Sequence, residues 1–377
     1  MSIFLLVYFS IYGGMNLYLF GKVYFAFRPT GLRLLLIALF MLLMVTGPIF
    51  VRMLERADLL LPARLLALVT YIWMAAVLWF LFMGLIVDIY NITLRIFALP
   101  VPGFSRFLIP LRTSLAVIAV IILAGMAWGL VENSRVRVEN VSIRTPLLKP
   151  GASPIKIAQI SDLHFGLIVG KSRLEKVISL IRETEPHILV ATGDMLDGMA
   201  PHLDDISGMF EELQPPMGKF AVMGNHEYYV GISKSVKFHE RAGFRVLRGE
   251  SILAGENILI AGVDDPAGSR VGRASWTDES AALPDSSPAV FTVLLKHQPV
   301  ISDKSRDRFN LQLSGHSHGG QIFPFNILVK RRYPLMKGLH DLASGSYIYT
   351  SRGTGTWGPP FRVLSPPEVA LITILPE

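Results

Sequence analysis

Four long runs without a charged residue dominate the first third of this 377-residue chain. They span residues 3–21, 34–51, 65–87 and 113–131, and each is roughly as long as an α-helix that crosses a lipid bilayer. The run at 65–87, LLALVTYIWMAAVLWFLFMGLIV, is the clearest of the four. A removed signal peptide would also begin with an apolar run, but no Lys or Arg precedes this one. We therefore expect a transmembrane domain over residues 1–135 with about four helices.

The cationic residues cluster around these runs. Residues 1–140 contain 11 Lys and Arg against 5 Asp and Glu, whereas the rest of the chain contains 25 against 24. Residues 1–140 therefore contribute +6 of the net charge of +7, in loops that flank membrane helices, and we expect no nucleic-acid partner. Because cations flank the runs on both sides, the positive-inside rule does not decide which side of the membrane the C-terminal domain faces.

After residue 131 the pattern changes to short apolar strands that alternate with amphipathic helices. The stretches IKIAQIS, HILVATGD and FTVLLKHQP indicate buried strands, and KSRLEKVISLIRETEP indicates a helix that Pro186 ends. Alternating strands and helices favour an α/β layered domain, which we place at residues 140–377.

Five polar stretches follow strands of this domain: SDLHFG, TGDMLDG, GNHEYY, KHQP and GHSHGG. Each residue in them has an ordinary structural explanation, such as a turn or a helix cap, but their recurrence at successive strand ends favours one shared site. The chain has no cysteine, so a metal there would be bound by His, Asp, Glu or Asn. The metal-competent residues of the five stretches are Asp162, His164, Asp194, Asp197, Asn225, His226, Glu227, His297, His316 and His318.

In order and residue type, the five stretches resemble the motifs D-x-H, G-D-x-x-D, G-N-H-E, H and G-H-x-H of the calcineurin-like metallophosphoesterase family. GHSHGGQI and the later TSRGTGTWGPPFRVLSPPEVALITI resemble the bacterial membrane-associated branch of that family, some members of which hydrolyse UDP-diacylglucosamine. The resemblance covers about residues 156–375. It implies central β-sheets flanked by helices, a four-layer α/β/β/α sandwich.

The resemblance also implies two divalent metal ions. The positions that match the ligands of the first ion are Asp162, His164, Asp194 and His318. Those that match the ligands of the second ion are Asp194, Asn225, His297 and His316, with Asp194 bridging the two. His226 matches the catalytic histidine that donates a proton to the leaving oxygen, and Asp197 is a candidate to orient its ring. The mixed nitrogen and oxygen donors favour Mn, with Fe or Zn as alternatives.

We therefore expect a phosphohydrolase in the cell (inner) membrane that cleaves a phosphodiester or pyrophosphate bond of a lipid-linked or nucleotide-linked substrate, such as UDP-diacylglucosamine. Two alternatives stay open. One is a phosphodiesterase with a soluble substrate, and the other is a transporter or sensor with a regulatory phosphoesterase-like domain. The four apolar runs carry no ionisable residue, which argues against transport. The oligomeric state stays open.

The stretch IFPFNILVKRRYPLMKGLH directly follows the last motif. Its apolar run ends in Lys330, Arg331 and Arg332, and two interpretations stay open. The cations can lie among anionic lipid headgroups, or the stretch can form a β-hairpin with a solvated basic turn.

Overall fold

The computed structural model describes residues 3–199, 203–270, 272, 276–283, 285, 290–343 and 345–377. The chain divides into two compact units. The first comprises Met1–Val131 and Gly358–Pro360, and the second comprises Glu132–Trp357 and Phe361–Glu377. The domain limits expected from the sequence, 1–135 and 140–377, stay a proposal.

Helices make up the N-terminal unit. They are α1 (Ile3–Tyr8), α2 (Gly14–Phe27), α3 (Gly31–Arg56), α4 (Leu60–Ala98) and α5 (Leu111–Ser134), with a π-helical turn at Phe9–Gly13 and a 3-10 turn at Pro102–Phe107. Among the described residues, three helical segments are long and apolar enough to cross a membrane: Gly31–Arg56, Leu60–Ala98 and Pro102–Ser134. They contain the predicted runs 34–51, 65–87 and 113–131. The run at 3–21 is helical but is interrupted by the π-helical turn, so a fourth crossing there stays a prediction.

Close helix packing in this unit depends on small and polar residues. A Cβ on Gly47 of α3 would lie 2.3 Å from Cγ2 of Thr70 of α4, so only glycine permits this approach. Asn16 of α2 accepts a hydrogen bond from Nε1 of Trp73 of α4 at 2.8 Å. Such contacts join helices in an apolar solvent, where no hydrophobic effect drives them together.

The second unit contains two six-stranded mixed sheets. Their strands are β1 (Arg137–Thr145), β2 (Ile155–Ile160), β3 (Ile188–Ala191), β4 (Lys219–Ala221), β5 (Arg245–Val246), β6 (Glu250–Ala254), β7 (Ile258–Gly262), β8 (Phe291–Leu295), β9 (Leu311–Ser314), β10 (Gly338–Asp341), β11 (Tyr347–Thr350) and β12 (Glu368–Pro376). The first sheet has the order β1-β12-β2-β3-β4-β5, and the second has the order β10-β11-β9-β8-β7-β6. The helices are α6 (Lys171–Thr184), α7 (Leu203–Glu211), α8 (Asn225–Val230), α9 (Ile232–Arg241), α10 (Ala267–Arg270), α11 (Glu279–Ala282) and α12 (Phe325–Arg332), and 3-10 turns lie at Arg306–Arg308 and His318–Gly320.

Alternating side chains of the strands build the layers of this unit. Ile157 of β2 packs between the two sheets with Val293 and Leu311 of the second sheet. Its neighbour along the strand, Ala158, faces the opposite side and packs with Leu174 of α6. A third cluster, which includes residues of β7, β8 and α11, covers the outer face of the second sheet. The expected four-layer α/β/β/α sandwich is confirmed.

Candidate dinuclear metal centre

Loops at the carboxyl ends of parallel strands form the candidate site. β2, β3 and β4 are parallel in the first sheet, and β7, β8 and β9 are parallel in the second. The loops after the first three strands carry Asp162, Asp194 and Asn225, and those after β8 and β9 carry His297 and His316. Parallel neighbours end at the same edge of a sheet, and this edge is where α/β proteins bind ligands. The structure brings all eight predicted metal-binding and catalytic residues together there.

The site loops have an unusual backbone. Five candidate residues adopt the left-handed backbone conformation, which residues other than glycine rarely take. They are Asp162 (φ 51°), His164 (φ 49°), Asp194 (φ 54°), His316 (φ 69°) and His318 (φ 50°). Each such residue costs about 1–3 kcal/mol, and the surrounding structure has to enforce it. Two hydrogen bonds between loops do so here, since the amide N of Asp162 donates to O of Gly193 and that of His164 donates to O of Asp194, each at 3.0 Å. Backbone strain of this kind is typical of functional sites.

The first half of the centre consists of Asp162, His164 and His318, all of which are buried. Nε2 of His164 lies 3.0 Å from Nε2 of His318, which in turn lies 3.4 Å from Oδ1 of Asp162. The amide N of His316 donates to both carboxylate oxygens of Asp162 at 3.0 Å, which fixes that carboxylate. Three donor atoms therefore face one small volume.

The second half consists of Asn225, His297 and His316. Nδ1 of His316 lies 3.0 Å from Oδ1 of Asn225 and 3.2 Å from Nε2 of His297. Nδ1 of His297 hydrogen bonds to O of Thr192 at 2.7 Å, and since the carbonyl only accepts, that nitrogen carries the proton. Nε2 is therefore the ring nitrogen of His297 that faces the site, where a metal ligand has to be.

Asp194 lies between the two halves. Its Oδ2 is 3.2 Å from Nε2 of His297 and 3.8 Å from Nε2 of His164. Its Oδ1 accepts a hydrogen bond from the amide N of His226 at 2.8 Å. Asp194 is therefore the described carboxylate whose position suits a bridge between the halves.

Glu227, which the sequence marks as metal-competent, has a different role. One oxygen of its fully buried carboxylate accepts hydrogen bonds from the amide N atoms of Asp194 and Gly224, and the other accepts one from Met195, each at 2.8 Å. It ties the loop of Asp194 to the loop of Asn225. The approach is so close that a Cβ on Gly224 would lie 2.3 Å from Oδ1 of Asp194.

Burial sets the protonation of several ring nitrogens. It is the main cause that lowers the pKa of His164 and of His316 to about 3 each, and charged neighbours add to it, His226 for the first and His297 for the second. Burial and then His164 and Arg362 lower the pKa of His318 as well. These imidazoles are neutral at pH 7, which is the form that binds a metal.

His226 differs from these histidines because it tends to be charged. Burial opposes its protonation, but the carboxylates of Asp194 and Asp197 outweigh burial and raise the pKa of His226 to about 9. Nδ1 of its ring lies 3.0 Å from Oδ1 of Asp197. The rings of Tyr229 and Trp357 flank it at centroid distances of 5.4 and 5.9 Å. A charged imidazole that is oriented by a carboxylate suits proton donation.

Sequence reasoning missed two residues that contact the candidate ligands. The hydroxyl of Tyr333 lies 3.0 Å from Nε2 of His316, and Nη2 of the fully buried Arg362 lies 3.1 Å from Nδ1 of His318. Both residues lie outside the five motifs, and only the tertiary structure brings them to the site. Tyr333 lies in the stretch IFPFNILVKRRYPLMKGLH and Arg362 in the stretch TSRGTGTWGPPFRVLSPPEVALITI, but no pattern in either stretch marks these two positions.

The donor atoms fit two divalent cations. Two ligand atoms that each lie about 2.1 Å from one ion at a right angle are about 3.0 Å apart. The separations of 3.0 Å in the first half and of 3.0 and 3.2 Å in the second half agree with this spacing. Neutral imidazoles, carboxylates and one amide oxygen are ligands of transition metals.

Comparisons with known proteins decide the family. The family model described as calcineurin-like phosphoesterase matches residues 155–320. A protein of Aquifex aeolicus (strain VF5) that is named as a metallophosphoesterase is 44% identical over 249 residues, which cover 66% of this chain and 95% of that protein. This chain belongs to the calcineurin-like phosphoesterase family. Metallophosphoesterases hydrolyse phosphoric esters at a centre of two divalent metal ions, and the chain has candidate ligand clusters for such a centre.

Two further similarities concern the membrane and the fold. A transmembrane protein with metallophosphoesterase domain from Bos taurus is 30% identical over 279 residues, which cover 70% of this chain and 62% of that protein. Together with the three apolar helices, it indicates that this phosphoesterase is membrane-associated. The solved structure of YfcE, a phosphoesterase from E. coli, is 16% identical with a TM-score of 0.27, and it covers 53% of this chain and 80% of that one. It is too distant to indicate a substrate.

Proposed function

We propose that the chain is a membrane-bound, dinuclear phosphohydrolase that cleaves a phosphodiester or pyrophosphate bond of a lipid-linked substrate such as UDP-diacylglucosamine. One observation supports the metal-dependent chemistry most strongly. His, Asp and Asn side chains from the ends of five strands come together on the two sides of Asp194. The membrane-length helices support a substrate that is itself anchored in the bilayer. The proposed location is the inner membrane, with several crossings.

In this proposal Asp194 would be a ligand of both ions. Asp162, His164 and His318 would complete the ligands of the first ion, and Asn225, His297 and His316 would complete those of the second. Asn225 supplies a neutral oxygen and so keeps the net charge of the centre positive, which favours an anionic phosphate. When bound, the ions supply a nucleophile at neutral pH and neutralise charge on the phosphoryl oxygens. Manganese is the proposed metal because the donor set mixes nitrogen with oxygen.

His226 is the proposed proton donor. Asp197 contacts Nδ1 of the ring, so Nε2 is the nitrogen that can face a substrate. Donation of its proton to the leaving oxygen neutralises the charge that develops there when the P–O bond breaks. General acids of this kind contribute about 10²–10⁴-fold to a rate. The raised pKa of His226 supports this role, because the ring is protonated at neutral pH.

Hydrolysis assays on the detergent-solubilised full chain test the proposal. Bis-p-nitrophenyl phosphate and UDP-diacylglucosamine are each incubated with and without Mn²⁺, using the parent protein, Asp194→Ala and the exposed-surface control Asp205→Ala. We expect metal-dependent hydrolysis of both compounds, loss of both in Asp194→Ala and retention in Asp205→Ala. Hydrolysis of the simple diester alone would contradict the lipid-linked substrate. No hydrolysis of either compound by folded, metal-loaded protein would contradict the whole proposal.

A further inference from the structure

The segment after the last motif forms a helix rather than the hairpin that was one of its two interpretations. This helix, α12, contains no buried residue. Its first half presents Phe325, Ile327 and Leu328 to the surface, and the side chain of Ile327 is 61% exposed. Phe325 and Leu328 are three positions apart and so share a face of this short helix. Exposed apolar residues that cluster in this way mark interaction sites more often than isolated ones do.

Two further exposed apolar residues lie outside α12. Ile322 pairs with Val363 in an isolated parallel bridge, so the residues that follow them, Phe323 and Leu364, lie side by side. Both are exposed, and Leu364 is 61% exposed. We call the set Phe323, Phe325, Ile327, Leu328 and Leu364 the apolar ridge.

A cluster of cations ends the helix. Lys330, Arg331 and Arg332 are exposed, and within the described part of the chain no carboxylate forms an ion pair with them. The helix dipole favours cations at a carboxyl end, which explains why they are tolerated. It does not explain the apolar ridge beside them. Apolar side chains next to cations without a carboxylate partner match the chemistry of an anionic bilayer surface. There the apolar side chains enter the boundary of the acyl chains, and the cations contact lipid phosphates.

A lipid bilayer would also be available for contact with the apolar ridge and the cations. Three helical segments elsewhere in the chain are long and apolar enough to span a membrane, so the catalytic unit stays tethered near lipid. Tethering raises the effective concentration of the bilayer surface around the catalytic unit, so even a weak contact is enough for binding to that surface.

The helix is joined to the metal centre. A Cβ on Gly320 would lie 2.3 Å from Cα of Asn326, so the loop after His318 packs directly against α12. At the other end of the helix, Tyr333 lies 3.0 Å from His316. We propose that the apolar ridge and Lys330, Arg331 and Arg332 form a membrane-contact surface that binds anionic headgroups and keeps the metal centre at the level of the bilayer surface. This inference goes beyond the proposed function and does not depend on the substrate.

A fluorescent probe on the ridge tests the inference without an activity assay. Because the chain has no cysteine, Ile327→Cys creates a single labelling site, and Leu253→Cys on β6, which replaces a side chain that is 52% exposed, is the matched control. Each variant of the full chain carries an environment-sensitive NBD group. Each is reconstituted into vesicles of phosphatidylcholine with or without phosphatidylglycerol, and some vesicles contain a lipid-borne nitroxide quencher.

We expect the probe at position 327 to emit at shorter wavelength and to be quenched several-fold more than the probe at position 253, most strongly with phosphatidylglycerol. Equal, water-like emission at both positions would overturn the inference. A shift to shorter wavelength without lipid-borne quenching would also overturn it, because it would indicate contact with a second protein.

The cations are tested in the same background. In Ile327→Cys with Lys330→Gln, Arg331→Gln and Arg332→Gln, we expect the gain in quenching from phosphatidylglycerol to disappear. The melting temperature in detergent shows whether this variant is folded. Undiminished dependence on the anionic lipid in a folded triple variant would overturn the part of the inference that concerns the cations.

Discussion

The two halves of the candidate metal centre share Asp194 but orient their histidines in different ways. In the second half, the ring nitrogens that face away from the site have hydrogen-bond partners: O of Thr192 for His297 and the hydroxyl of Tyr333 for His316. In the first half, Nδ1 of His164 is buried without a hydrogen-bond partner among the described residues.

The partner of His318 in the first half is of another kind. Nδ1 of His318 lies 3.1 Å from Nη2 of the guanidinium group of Arg362. Arg362 also donates to the carbonyl oxygens of Gly355 at 2.9 Å, Arg352 at 2.7 Å and Ser365 at 3.0 Å. The first half is therefore fixed by packing around an arginine that several loops share, whereas the second is fixed by separable hydrogen bonds. Substitutions should accordingly affect folding in the first half and metal affinity in the second.

The largest predicted effect concerns His226, one ring nitrogen of which lies within 4.8 Å of donor atoms of His164 and Asp194. Its substitution therefore tests whether His226 is a proton donor or a further ligand of the first ion. If it is the proton donor, His226→Gln should retain both ions and lose about 10²–10⁴-fold in kcat. Metal content and hydrolysis of bis-p-nitrophenyl phosphate are measured on the same preparation. Loss of one ion per chain would instead make His226 a ligand.

Arg362→Met should destabilise the protein more than any change in the second half. It removes the donors of several buried carbonyl groups, each worth about 1–3 kcal/mol when left unsatisfied, so the free energy of unfolding should fall by about 3 kcal/mol or more. The melting temperature of the solubilised chain is compared with that of the exposed-site control Arg241→Met. Equal melting temperatures would show that Arg362 is not the residue that fixes the first half.

Tyr333→Phe should act on metal affinity alone. It removes the hydroxyl that contacts His316 and keeps the ring, so folding should be unchanged while affinity for one ion falls by about 10–100-fold. Titration with Mn²⁺ should then resolve one weakened and one unaffected site. Equal weakening at both sites would contradict the separation of the halves.

The smallest predicted effect is on pH dependence. The carboxylate of Asp197 stabilises the imidazolium of His226, so Asp197→Asn should lower the pKa of that ring. The proton donor then loses its proton at a lower pH, and the alkaline limb of the kcat profile should move downward by about one pH unit or more. An unmoved alkaline limb would mean that another group titrates there. Asp205→Asn, on the exposed surface, is the matched control.

The architecture of the catalytic unit follows from its sequence to a large extent. The short apolar run IKIAQIS predicts a buried strand, and β2 has Ile157 and Ala158 in the cores on its opposite sides. The apolar run at 3–21 was less informative, because hydropathy predicts one span and does not register the π-helical turn at Phe9–Gly13. Composition reports how apolar a helix is, but not how its backbone hydrogen bonds are arranged.

The candidate site, like the fold, could be predicted from the sequence only in part. The five motifs select the residues that the structure brings together, because those residues follow strands that end at one edge. Tyr333 and Arg362 could not be predicted, since their positions depend on how α12 and the loop before β12 return to the site. Glu227 stands in a motif as a metal-competent residue, yet its carboxylate accepts backbone hydrogen bonds, which depend on how close two loops approach.

The central claim is a pair of ions that share Asp194, and electron paramagnetic resonance of the Mn²⁺-loaded full chain tests it most directly. Two Mn²⁺ per chain, with the spectrum of a magnetically coupled pair that is lost in Asp194→Ala, is the predicted result. One Mn²⁺ per chain, or two with uncoupled spectra in folded parent protein, would contradict the claim that one carboxylate bridges the two halves.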